Sequence, residues 1–245
     1  MFPSPYRASS ENELVSSNHL CYYSDVICDF HTHSSLSDGD LSPLELIHRA
    51  VKNGYRTIAI TDHVGIGQLE RFTAEITKDC MLAEKYWDII AIPGVELTHL
   101  PASAISDAAK QARETGVRMV VVHGETIIEP VEQGTNKAAV QSPYVDILAH
   151  PGLITIEEAT LAKTNGIFLE ISARKGHCLT NGHIASIARA TGARLLLGSD
   201  AHSSTDLLSP GLVIAILQGA SLAQVEIEEI LQTNPATLLA KLNKV

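Results

Sequence analysis

The chain has 245 residues, 45% of them hydrophobic, with 28 acidic against 18 basic side chains and a formal net charge of −10. That length suits one large domain with a sizeable core, and the acidic balance argues against nonspecific binding to nucleic acid or to an anionic membrane. Cys21, Cys28, Cys80 and Cys178 form no CxxC pair, the N-terminal stretch lacks a secretory apolar segment, and no run approaches a membrane span, so a soluble cytoplasmic protein is expected.

Residues 1–24 read as a polar N-terminal extension and residues 25–245 as one domain. Seven short apolar, β-branched runs follow one another at 26–33, 57–63, 89–97, 118–125, 145–151, 167–172 and 194–202, each succeeded by a segment with helical signals. After the first run, Ser42, Pro43 and Glu45 give an N-cap, a proline at the first helical position and a capping-box partner, and Gly54 supplies the stop. Thr155 with Glu158 repeats the box, and "TNGHIASIARATG" runs from a Thr180 cap to Gly192. The last 25 residues predict two helices, with Pro235 opening the second. Strands that are apolar throughout and alternate with helices indicate a parallel sheet covered on its outside, and seven units could close into a barrel or stay open.

In parallel α/β folds the reactive groups gather at the carboxyl ends of the strands. By that rule the first strand ends in His31 and His33, whose i, i+2 spacing projects both imidazoles to one side, with Asp38 and Asp40 just beyond. The second ends in His63, the third in Glu96, the fourth in His123, the fifth in His150 and the seventh in Asp200 and His202. Six of the eleven histidines thus share one face, a pattern that solvated histidines have no reason to produce. Convergent imidazoles beside carboxylates point to a metal centre. Only the sixth strand ends without a histidine or an acid. His19, His48, His99 and His183 read as surface or packing residues, as does His177, held as an exception because its loop follows strand six. Asp29, Asp40, Asp62 and Glu125 are either hydrogen-bond partners of the imidazoles or ordinary strand-end residues.

The ordered pieces "DFHTHSSLSDG", "AITDH", "PGVEL", "VVVHGE", "ILAHPG" and "LLGSDAH" resemble the motifs of the PHP family, named for polymerase and histidinol phosphatase, from about Val26 to Ser203. The resemblance implies a distorted, TIM-barrel-like (β/α)7 barrel and a metal-dependent phosphoesterase that holds two or three divalent transition-metal ions, Zn, Mn or Fe. It implies nine metal ligands: His31, His33, Asp38, His63, Glu96, His123, His150, Asp200 and His202. Glu96 would bridge two ions. His31, His33, Glu96 and Asp200 would hold one ion, Glu96, His123 and His150 a second, and Asp38, His63 and His202 a third. Some family members carry histidine where this chain has Asp38.

Hydrolysis by a metal-activated water is the expected chemistry, with Glu96 and Asp200 as catalytic residues. Another metal-bound water, Asp200 and His177 are the candidates for protonating the leaving oxygen. Arg174 and Lys175, just past strand six, are the candidates for gripping the substrate phosphate. The leading reading is a phosphomonoesterase acting on a small metabolite, similar to histidinol phosphatases. A nucleotide or oligonucleotide phosphoesterase remains open, as does a non-catalytic metal-binding structural or regulatory module, although nine filled ligand positions weigh against the latter. Amidohydrolases and TatD-type deoxyribonucleases also begin with HxH, but usually have eight strands and end in a single aspartate, whereas here the seventh strand ends in "SDAH".

Overall fold

The computed structural model describes residues 27–243, so the expected N-terminal extension lies outside the described residues. Its strands are β1 (Ile27–Asp29), β2 (Tyr55–Ile60), β3 (His63–Val64), β4 (Ile90–Leu97), β5 (Met119–His123), β6 (Ile147–Ala149), β7 (Phe168–Ser172) and β8 (Leu195–Gly198). Seven of them pair in parallel along the path β1-β2-β4-β5-β6-β7-β8, and the two-residue β3 joins the edge of β4. The helices are α1 (Pro43–Lys52), α2 (Leu69–Tyr86), α3 (Ile105–Glu114), α4 (Thr135–Gln141), α5 (Ile156–Asn165), α6 (Asn181–Thr191), α7 (Pro210–Gly219), α8 (Gln224–Glu228) and α9 (Asn234–Leu242). Among the described residues no helix is long and apolar enough to cross a membrane.

The result is a nearly closed, distorted (β/α)7 barrel. Its seam between β1 and β8 carries no regular ladder and is held by a bridge between Thr32 and Ala201. There His33 N–H donates to Ala201 O at 2.8 Å and Asp200 N–H donates to His31 O at 2.9 Å. Asp29 completes the closure, accepting from His31 N–H at 3.2 Å and Ser199 N–H at 3.0 Å.

Alternation along the strands sorts the residues into two sets. Phe30, Ala59, Ile92, Met119, Val121, Ile147, Phe168 and Leu196 pack together inside the barrel, and Leu238 and Leu242 of α9 join them. The alternate set, including Ile58, Ile60, Val120, Val122, Leu148, Leu169 and Ile171, packs with the surrounding helices. One period of two beyond the inner set lie His123 and Glu170, and two periods beyond Ile92 lies Glu96. The inner face therefore changes from apolar to ionisable at the carboxyl ends of the strands, so chain alternation alone sets the chemistry on top of a packed floor.

Boundaries differ from the sequence reading where side chains take over from the ladder. The first strand ends at Asp29, because the seam contacts above replace regular pairing. The second is interrupted at Thr61 and Asp62, since Thr32 N–H donates to Thr61 Oγ1 at 3.1 Å and Ser34 N–H donates to Asp62 Oδ1 at 2.6 Å. The Thr155–Glu158 capping box is complete, whereas Ser42 makes only the bond from Glu45 N–H. Thr180 occupies the N-cap position of α6 as read, but its hydroxyl makes no capping bond and instead donates to His177 O at 3.4 Å within the preceding 3-10 turn.

A buried network ties α3 and α9 to the strands. Asp146 is 1% exposed, pairs with Arg113, accepts from Val120 N–H at 3.0 Å, and lies 3.1 Å from Lys241 Nζ. Asp146→Ala should cost about 2 kcal/mol, as expected for the loss of charge-assisted hydrogen bonds. Urea unfolding monitored by circular dichroism would show this as a lower midpoint at unchanged slope.

Candidate metal centre

The nine residues singled out in the sequence converge at the carboxyl-terminal mouth of the barrel. His31 and His33 stand with ring centroids 5.0 Å apart. His33 stacks on His202 at 4.2 Å and lies 4.3 Å from His63, while His123 meets His150 edge-on at 4.5 Å. Ligand atoms fall within 4.8 Å of one another in the sets His31, His33 and Asp200; Glu96, His123 and His150; and His33, Asp38, His63 and His202. Register explains one of these meetings, since His63 of β3 pairs directly with Glu96 of β4.

Unpartnered atoms test whether an ion fits. Eight buried side-chain atoms lack a hydrogen-bond partner among the described residues, and six of them are His31 Nε2, both nitrogens of His33, both oxygens of Glu96 and Nδ1 of His150. Leaving buried polar groups unsatisfied is costly, and His31 Nε2, one nitrogen of His33 and the two Glu96 oxygens make a donor set that divalent ions would satisfy. His150 and Asp200 also hold left-handed backbones, with φ of 26° and 52°, conformations that non-glycine residues adopt at a cost and that concentrate at functional sites.

The imidazoles divide: burial lowers His33 and His123, whereas neighbouring carboxylates outweigh burial and raise His31, His63 and His150. Burial pushes His33 down to about 3, although Asp200 counteracts it. Burial would raise Asp200 and Glu96, yet the surrounding imidazoles, His31 foremost, hold both below the usual carboxylate range. For Asp38 burial is likewise overcome, here by the hydrogen bond from His202. His31 moves the other way: burial would lower it, but Glu170, Glu96 and Asp200 hold it well above its ordinary value.

Glu170 is the main residue that the sequence reading missed. It sits inside β7, 1% exposed, where its Oε1 accepts from His31 Nδ1 at 2.9 Å and its Oε2 from His150 N–H at 2.8 Å. The first bond fixes the tautomer that leaves His31 Nε2 free for an ion. Gly198 makes room for it, since a Cβ there would stand 1.9 Å from Glu170 Oε1. The visible signal was an acid in the middle of the apolar run "IFLEIS", because a charge inside a buried strand must be paired. Glu170→Gln would set an amide N–H2 against either His31 or the His150 N–H, so Mn²⁺ affinity should fall about tenfold. Isothermal titration of the metal-free protein checks this.

The other proposed imidazole partners serve elsewhere. Asp29 closes the seam, and burial pushes it up to about 6. Asp62 accepts from Ser34 Oγ at 2.7 Å and Ser37 Oγ at 2.7 Å, pinning the loop that carries Asp38. Glu125 accepts from the Gly134 and Asn136 N–H groups at the start of α4, and Asp40 is exposed. His177, read as a loop residue, is 2% exposed and stacks on His150 at 4.0 Å, and burial lowers it to about 4. Glu129 also enters the site, 3.0 Å from His123 Nε2 and 3.3 Å from His177 Nε2. Its exposed loop gave no pattern by which to find it.

A cavity of about 400 Å³ opens above the cluster, lined by Asp38, His63, His123, Arg174, Asp200 and His202 among others. Arg174 Nη1 donates to Asp200 O at 3.0 Å and to His202 Nδ1 at 2.8 Å, with Nε 3.6 Å from Asp200 Oδ2. Lys175 is exposed and is not among the residues lining the cavity, so the pair divides between site and surface.

Comparison with known proteins gives a consistent picture. The family model of the PHP domain matches residues 29–122. An uncharacterized protein of Methanocaldococcus jannaschii is 46% identical over 215 residues, covering 87% of this chain and 99% of that protein. A protein of a Thermoanaerobacter species named "Probable phosphatase" is 30% identical over 204 residues, covering 74% of this chain and 81% of its own length. The solved structure of a candidate histidinol phosphatase from Listeria monocytogenes superposes with a TM-score of 0.56 at 13% identity, covering 74% of this chain and 97% of that one.

Proposed function

The chain belongs to the PHP family and is a metal-dependent phosphoester hydrolase; from that premise we propose that its substrate is a small phosphate monoester, hydrolysed to an alcohol and inorganic phosphate. The supporting observation is the shape and charge of the mouth. A cavity of about 400 Å³ with candidate ligands on its floor matches a small-molecule site. Among the described residues lining it, Arg174 is the one side chain of permanent positive charge. A nucleic-acid strand would need several further cations along its path, and the chain's net charge of −10 offers no such general attraction.

His31, His33, Glu96 and Asp200 would hold one ion, Glu96, His123 and His150 a second, and Asp38, His63 and His202 a third. Bound divalent ions would supply charge stabilisation for the phosphoryl oxygens and acidify a water molecule. The protein's own groups do the rest. Glu170 orients His31, and Asp200 keeps Arg174 in place through its carbonyl. Arg174 Nη2, which has no protein partner among the described residues, is available to a phosphate oxygen. His177, 3.3 Å from Glu129 Oε1 and 3.9 Å from Asp200 Oδ2, is kept neutral by burial and would hydrogen-bond the leaving oxygen rather than protonate it.

The test is phosphate release by the Mn²⁺-loaded protein from glycerol phosphates and sugar phosphates, set against 5′-phosphorylated oligonucleotides. Preference for the small esters is expected. Preference for the oligonucleotides would replace this reading with the nucleic-acid one.

A further inference from the structure

Beside the cavity lies a second recess of about 280 Å³, and His99 and His123 line both spaces. Two loops make the junction. After β4, Thr98 and His99 line the cavity and the next residues, Leu100 and Pro101, line the recess; after β5, Glu129 lines the cavity while Pro130 and Val131 line the recess. The buried side chains of Leu97, Ile105 and Val122 contribute to its wall. The recess thus adjoins the cavity at two imidazoles, with Leu100, Pro101, Pro130 and Val131 on its apolar side and Glu132 and Thr135 among its polar lining.

We infer that this recess receives the alcohol part of the substrate, and that the preferred alcohol carries a neutral apolar body such as a phenyl ring or a branched chain. The inference rests on the phosphomonoesterase reading and deepens it. An ester whose phosphate occupies the ligand floor beside Arg174 can extend past His99 and His123, and an apolar body gains there by leaving water. Anionic alcohols are disfavoured. Glu129 stands at the junction, and Glu132 lines the recess with its Oε1 accepting from Ala102 N–H at 3.2 Å, so a second phosphate or a carboxylate would meet like charge, with no lysine or arginine among the described residues lining the recess.

The experiment compares 3-phenylpropyl phosphate with propyl phosphate on the Mn²⁺-loaded protein. The two esters release primary alkoxides of similar basicity, so the ratio of kcat/KM reports binding of the ring. The ratio should exceed about tenfold, within the range that apolar pockets achieve. It should fall toward one in Val131→Trp, which fills the recess, and also in Leu100→Gln, which adds a polar group without bulk and keeps the test available if the larger variant fails to fold. A ratio near one in the wild type, or a ratio unchanged in whichever variants fold, would overturn the inference. Failure to hydrolyse either ester would instead overturn the phosphomonoesterase reading beneath it.

Discussion

Glu96→Gln should lower monoester turnover by at least about 10³-fold, or roughly 4 kcal/mol of transition-state stabilisation, while circular dichroism of the protein stays unchanged. Glu96 is fully buried, and its Oε1 lies 3.3 Å from His31 Nε2 and 3.6 Å from His150 Nε2, imidazoles assigned to the first and second ions. Only a carboxylate can offer both oxygens as charged donors to two ions. Glutamine keeps the shape and gives up the charge, so bridging fails while the apolar floor of Ile92, Met119 and Phe168 is untouched. Thermal stability should fall in both states. Without metal the variant should be less stable than the wild type, because Glu96 and His31 favour each other's charged forms and removing one partner of a buried pair leaves the other uncompensated, and with Mn²⁺ it should also gain less than the wild type, because ligand-linked stabilisation follows affinity. Equal activity in both proteins would show that Glu96 bridges nothing.

Arg174→Ala should reduce kcat/KM for a small phosphate ester by about a hundredfold, the loss expected for one charged hydrogen-bonding contact, and should weaken inhibition by inorganic phosphate in parallel. Arg174 also touches His202, so metal content must be measured alongside. Unchanged content with reduced kcat/KM assigns the residue to the substrate. Arg174→Lys should recover only part of the loss, since lysine presents a point charge in place of the planar fork. Lys175→Ala, on the exposed side of the same loop, should change kcat/KM little. Wild-type kinetics in Arg174→Ala would confine the guanidinium to holding Asp200 and His202.

Strand ends and alternation made most of the site legible before any coordinates. His31, His33, His63, Glu96, His123, His150, Asp200 and His202 each follow an apolar run, and a parallel barrel gathers such positions at one mouth. Glu170 escaped because it lies within its strand, where periodicity marks which face it takes but not that a histidine on a distant strand meets it. Glu129 escaped for another reason, and His177 was held only as an exception: loops carry no periodicity, and their placement depends on packing among segments far apart in sequence. The interruption at Thr61 and Asp62 was equally hidden, because it arises when side chains at the seam outcompete a ladder that the apolar pattern would have continued. The seven-unit count could be read directly, whereas near-closure could not, since it hangs on a few contacts from Asp29, His31, Thr32 and His33.

Metal content after reconstitution tests the central claim most directly. Protein stripped by chelation, incubated with Mn²⁺ and freed of excess ion should retain two to three ions per chain by elemental analysis, and His31→Ala combined with His33→Ala should retain fewer than one. Fewer than one ion in the wild type, or an undiminished count in the double variant, would contradict the assignment of the barrel mouth as the metal centre.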